Sequence, residues 1–198
     1  MRNSTASLCV NGGTVLEKFW IGLIGVVVGS VLTVLREHYS EWRAHRTDAR
    51  YLAVRLTCLL DNFVGDCFEV VCDNGEQDEQ GISTPMISAP KFNVNDLDGK
   101  WQSLPFEYMY EALDLPNKLT DSNERVSFAA EYGDGFPDYI DFFKERQYQF
   151  SVLGLQAAIL SNKLREKYSM PTKTYGDRKP IECFIEHKNK FEASEKCT

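Results

Sequence analysis

The sequence carries no C-x-x-C pair, no glycine-rich phosphate loop, no Gly-x-Ser-x-Gly elbow and no dinucleotide fingerprint. Each absence removes a chemistry, because those patterns place a metal, a phosphate or a nucleophile where reaction requires it. Histidine is scarce: His38, His45 and His187 only. None follows a Glu at the Glu-x-x-His spacing, which excludes a di-iron carboxylate bundle. Residues 73–78 are rich in Asp, Asn and Glu, but an EF-hand needs Gly at the sixth position and Glu at the twelfth. Here those positions hold Asp78 and Thr84. The expectation is therefore no catalytic residue, no metal site and no cofactor. The six cysteines (9, 58, 67, 72, 183 and 197) are scattered. Without paired spacing or a small loop-rich domain they read as reduced thiols acting as small apolar residues.

Beta-type alternation is also missing, while helical periodicity is abundant. The 198 residues suffice for one domain with a real core plus a small anchor, and a charged fraction of 26% suits a folded chain. The net charge of −7 is unevenly placed. Residues 36–55 carry five Arg against three acids, whereas residues 56–90 carry seven acids and no Lys or Arg. The soluble part is acidic, which argues against nucleic acid as its partner.

From Phe19 to Leu35 no residue is charged. Seventeen helical residues rise roughly 25 Å, near the short limit for a bilayer core. Trp20 on one side, with Tyr39 and Trp42 on the other, suit the headgroup belts. A cleaved signal peptide fits less well, since the run passes directly into Arg36–Glu37–His38 with the amphipathic pattern unbroken. Arg36, Arg43, Arg46, Arg50 and Arg55 follow the run, and only Arg2 and Lys18 precede it. The positive-inside bias then places residues 1–18 outside and the bulk of the chain in the cytoplasm. Gly25 and Gly29 form a GxxxG, a spacing that lets two helix backbones approach and makes them candidate helix-association residues.

Beyond the run, Ala49, Ala53, Leu56, Leu60, Phe63, Cys67 and Val70 recur at 4–3 spacing, the buried stripe of a helix over 36–72. Gly75 is its stop. Residues 73–102, with Gly and Pro throughout, read as a long loop draped on the bundle. A second helix over 103–132 takes its period from Phe106, Met109, Tyr110, Leu113, Val126 and Ala130, with Pro116 expected to kink or break it. A third over 137–168 has the cleanest seam: Tyr139, Phe143, Arg146, Phe150, Leu153, Ala157, Leu160 and Leu164. The fold class is all-α, one N-terminal transmembrane helix continuing into a cytoplasmic antiparallel three-helix bundle (36–171) with a long loop. Residues 172–198 are expected to be a mobile tail. Within it, Ile181, Phe184, Ile185 and Phe191 have the spacing of a short amphipathic helix.

Arg146 interrupts an apolar seam and needs a carboxylate, because an unpaired buried charge is very costly. Asp61, Asp66, Glu69 and Asp114 are the candidate partners. Asp61, Asn117, Arg146 and Gln147 form the candidate buried polar network, which more often fixes helix register than binds a ligand. The sharper reading is an Arg146 pocket for a small anion.

Four stretches look familiar: Leu59–Val64 leading to Val70–Val71, Trp101–Pro105, Leu113–Asn117 and Glu145–Tyr148. With the N-terminal anchor, the chain resembles a group of uncharacterised bacterial membrane-anchored proteins of about this size, over roughly residues 19–170. The resemblance implies a bacterial inner membrane and no activity, cofactor or site residue. The expected function is a membrane-tethered, non-enzymatic adaptor, with the bilayer and a second copy or another membrane protein as partners. An oligomeric membrane-perturbing effector or small pore is the alternative, and a tethered enzyme built on Arg146 ranks last.

Overall fold

The computed structural model describes the backbone of residues 12–133 and 139–195, with side chains from Leu23 onward except residues 24, 25, 27 and 195. Among these residues the chain is predominantly helical: α1 (Gly12–Cys72), α2 (Phe106–Tyr132), α3 (Ile140–Tyr168) and α4 (Pro180–Glu195). It divides into two compact units, residues 1–46 and 47–198.

In the first unit the helical backbone starts at Gly12, inside the expected 1–18 tail. Seven side chains of the Phe19–Leu35 run lie outside the described residues, Gly25 among them. Among the described residues no helix is long and apolar enough to cross a membrane. Ser30 Oγ and Thr33 Oγ1 each donate at 2.9 Å to a carbonyl of their own helix, Val26 O and Gly29 O. Further on, the Tyr39 and Trp42 rings lie 6.2 Å apart, and the Arg46 guanidinium sits 4.7 Å from the Trp42 ring centre.

The second unit is organised around α3. Asp61 of α1 meets Ser161 and Arg165 of α3, and Asp73 just past α1 meets Arg146 nearer the start of α3. These two helices are therefore antiparallel. Ser122 with Gln149, and Glu111 with Lys163, set α2 antiparallel to α3 as well. It follows that α1 and α2 run the same way, which departs from the simple antiparallel order expected from sequence. Two parallel neighbours need a return connection. Residues 73–105 supply it, travelling back along α1 as a draped loop. Phe92 packs on Phe63 at 5.0 Å between ring centres, Arg55 donates to Asp96 O, and Lys100 pairs with Asp48 at 2.9 Å. The α1 stretch retraced, Asp48 to Cys72, is roughly 36 Å long. An extended chain covers that in about eleven residues. The surplus is folded into a hairpin, β1 (Glu76–Gln77) with β2 (Ser83–Thr84), and 3-10 turns at Val94–Asp96 and Trp101–Ser103.

The α1 stripe from Ala49 to Val70 is buried throughout, and so is the α3 seam from Phe143 to Leu164. Being central, α3 also buries Gln149, Ser151, Gly154, Ala158 and Ser161. In α2 the outcome differs. Its buried residues are Ala112, Leu115, Leu119, Ser122 and Val126, while Phe106, Tyr110 and Leu113, expected in the seam, face solvent. Of the expected stripe, Val126 is buried and Met109 packs against the core, while the Phe106, Tyr110 and Leu113 side is turned outward. Nor does Pro116 break this helix, which continues to Tyr132. The residue four before it is Ala112, small enough to sit beside the proline ring, and Thr120 Oγ1 donates to Pro116 O at 3.1 Å.

The stretch expected as a mobile tail carries α4, so among the described residues the bundle has four helices rather than three. Phe184 is fully buried. It seats over Gly154 of α3, where an added Cβ would lie 2.5 Å from Phe184 Cζ and 3.1 Å from Cys67 Cβ of α1. A glycine in mid-helix here lets three helices meet. Beside this contact the Cys72 and Cys183 thiols hydrogen bond; burial first, and then the neighbouring Cys72, push Cys183 up to about 11. Cys58, Cys67, Cys72 and Cys183 are free, while Cys9 and Cys197 lie outside the described residues.

Candidate functional site

The expected polar network resolves into two separate clamps, each fastening a connection to the bundle. The first forms where α1 ends. Asp73 is buried, and its Oδ1 accepts from Gly75 N at 3.0 Å, an Asx turn that reverses the chain. Gly75 adopts φ +76, and an added Cβ would lie 2.4 Å from Phe143 Cζ, so both its conformation and its contact call for glycine. Asp73 Oδ2 accepts from Met86 N at 3.0 Å and Ile87 N at 2.9 Å, and it takes Arg146 Nη1 at 3.0 Å. Arg146 Nη2 donates to Ile87 O. Gln147 Nε2 donates to Asn74 Oδ1 at 3.1 Å. Burial works to raise the Asp73 carboxyl; the Ile87 and Gly75 amides and Arg146 outweigh it and hold the group below its ordinary range.

Arg146 is thus matched by Asp73, not by Asp61, Asp66, Glu69 or Asp114. With one guanidinium nitrogen on a carboxylate and the next on a carbonyl, it is committed to holding the loop. Arg146 lines neither the groove between α2 and α3 nor the hollow between α3 and α4.

The second clamp lies lower on α1. Asp61 Oδ1 accepts from Ser161 Oγ at 2.8 Å, and its Oδ2 pairs with Arg165 Nη2. Arg165 Nη1 also donates to Pro171 O, and Lys173 Nζ approaches Asp61 at 3.9 Å. This fixes the α3–α4 connection on the bundle. The Tyr175 hydroxyl is raised by burial and then by the Asp61 charge. Asn117 belongs to neither clamp and is exposed on α2. At Gly29 an added Cβ would meet nothing within 4 Å, and Gly25 lies outside the described side chains.

What the bundle presents outward is the outer face of α2. Phe106, Tyr110, Leu113, Phe128 and Tyr132 are exposed, with Phe106 at 72%, Phe128 at 65% and Tyr132 at 67%. At about 100° per residue they fall, with Asn117, Asp121 and Glu124, in a sector roughly 100° wide opposite the buried face. Phe106 stacks on Tyr110 at 6.2 Å and Phe128 lies against Tyr132 at 4.7 Å. Two aromatic pairs thus flank a polar centre along one helix. A groove of about 200 Å³ between α2 and α3, lined by Leu115, Lys118, Ile159 and Lys163 among others, borders this face. Elsewhere, a hollow of about 140 Å³ between α3 and α4 is lined by Lys144, Tyr148, His187, Lys190 and Phe191 among others. Burial lowers the His187 imidazole below its usual range.

Sequence reasoning missed Asp73, Arg165, Ser161 and Gly154. The Asp–Asn–Gly at 73–75 was legible as a helix stop, and the same residues signal an Asx turn. Gly154, inside a strong helical pattern, was the available sign of close approach.

Comparisons with protein-family models, curated proteins and solved structures find no match to this chain.

Proposed function

We propose that this chain is a membrane-tethered, non-enzymatic interaction protein that assembles through its apolar N-terminal run and its helical bundle. The observation carrying this reading is the outer face of α2. Five large apolar side chains on one exposed helix face are a contact surface by composition, since aromatics are enriched at interface cores. The buried charges support it from the other side, because Arg146, Asp73, Asp61 and Arg165 are spent on holding the fold together.

The tether rests on the uncharged run Phe19–Leu35, acting as one transmembrane helix that continues into the bundle. The arginines that follow it favour the bundle on the cytoplasmic side with the N-terminus outside, and the family resemblance favours a bacterial inner membrane. Tyr39, Trp42 and Arg46 make an exposed aromatic–guanidinium cluster suited to headgroups. Gly25 and Gly29 would bring two such helices together. A pore built from the run is less well supported, because Ser30 and Thr33 turn their hydroxyls back on their own helix.

Affinity purification of the full chain in mild detergent, with a native mass and identification of bound proteins, tests the reading. The expected result is a homo-oligomer or a stoichiometric complex. A strict monomer with nothing bound contradicts it.

A further inference from the structure

We propose that two copies of this chain pair antiparallel through the outer faces of their α2 helices. The inference rests on the reading of that face as an interaction surface and names its partner as a second copy.

The charge order along α2 is complementary to its own reverse. On the flank of α2 nearest α3 stand Asp114, Lys118, Asp121 and Arg125, spaced 4, 3 and 4. Read along the helix they run acid, base, acid, base. Read backwards they run base, acid, base, acid. An antiparallel second copy therefore sets Asp114 against Arg125 of the second copy and Lys118 against its Asp121, each twice by symmetry. In a parallel two-fold pair the row lies across from the opposite flank, which carries Thr120, Glu124 and Glu131, so its charge order goes unmatched and the row selects the antiparallel direction. A two-fold axis brings the same flank of each helix together, as an isologous interface requires. Within one residue of that register, Phe106 and Tyr110 of one copy meet Phe128 and Tyr132 of the other, giving an aromatic contact at each end.

Other occupants fit less well. An anionic membrane surface is opposed by Asp121, Glu124 and Glu131 on or beside the aromatic stripe. The like-charged pair Glu107 and Glu131 falls on opposite flanks of the stripe and is not set face to face in the dimer. A contact confined mainly to one helix is smaller than a standard interface, so the pairing is weak in bulk solution. Confinement of both copies to one membrane raises their effective concentration and compensates. The surface charge pairs further predict a dimer that loosens as salt rises.

The test measures native mass against concentration for the full chain in mild detergent. It uses the natural sequence and a Gly25→Leu/Gly29→Leu chain, which removes any contribution from the apolar run. The expected result is a dimer in both backgrounds. In the Gly25→Leu/Gly29→Leu chain, Asp114→Arg or Arg125→Asp alone weakens it at least tenfold, and the two together restore it. Asp114 also pairs with Lys118 within α2 at 3.1 Å, so circular dichroism of each single variant checks that it is folded, and recovery in the double variant ties the loss to the Asp114–Arg125 contact. A dimer indifferent to both reversals, or a double variant no better than either single one, overturns the proposal while leaving an interaction role standing. A monomer that carries a different protein at one-to-one ratio also overturns it. A monomer with nothing bound overturns both this proposal and the reading beneath it.

Discussion

Replacing Arg146 with alanine should destabilise the bundle by roughly 3–5 kcal/mol, the loss seen when one partner of a buried ion pair is removed. Asp73 would remain buried with its charge unmatched, and Ile87 O would lose its donor. The damage should centre on the return connection, since the same carboxylate holds the Met86 and Ile87 amides. Arg146→Lys should recover only part of the loss, because an ammonium lacks the planar fork that reaches carboxylate and carbonyl together. The acid limb follows from the same group. A carboxyl held below its ordinary value contributes stability that is present above about pH 4 and is lost as pH falls through the folded value. Urea unfolding from pH 7 to pH 2 should show this loss in the natural chain and a flatter profile in Asp73→Asn, which is weaker at neutral pH. An Arg146→Ala chain as stable as the natural one would show that the clamp is incidental.

The second large effect concerns α4. Phe184→Ala should cost roughly 3–5 kcal/mol, the usual range for emptying a buried aromatic site. More telling is its coupling to Gly154. In the natural chain Gly154→Ala gains about 1 kcal/mol of helix propensity but loses more to overpacking, typically about 1–3 kcal/mol, because the new methyl meets the Phe184 ring. With Phe184 already alanine the ring clash is gone, and the remaining 3.1 Å approach to Cys67 Cβ asks a shift of only a few tenths of an ångström, which costs less than the propensity gain. Gly154→Ala should therefore destabilise the natural chain and stabilise the Phe184→Ala chain, a reversal of sign that a double-mutant cycle reads directly. Effects of one sign in both backgrounds would mean that α4 does not dock through this contact.

Much of the fold was legible because helical period is written locally. The α1 and α3 stripes fall where their 4–3 spacing places them, down to Arg146 as a buried member of its seam. The face of α2 was misread for a physical reason. Phe106, Tyr110 and Leu113 cluster in its first turns and set the apparent stripe, yet its buried side carries Ala112, Leu115, Leu119, Ser122 and Val126. The small Ala112 and Ser122 there suit close packing on α3, while Phe106, Tyr110 and Leu113 stay exposed. Periodicity gives the spacing of a stripe without saying what covers it. The polar set was legible as residues but not as pairs. Arg146 was seen to need an acid, yet Asp73 had been assigned to the helix stop, and only the return of the chain along α1 brings Ile87 and Arg146 to it. That return depends on α1 and α2 running the same way, which a long loop permits without announcing it.

The central claim is that the outer α2 face is covered by a protein in the cell. A photo-crosslinking residue placed in the full chain at Tyr110, and separately at Phe128, tests it most directly, with exposed Lys167 of α3 as the control position. The account predicts a discrete crosslinked species of twice the chain mass from both stripe positions and none from position 167. Equal or absent crosslinking at all three positions would contradict it.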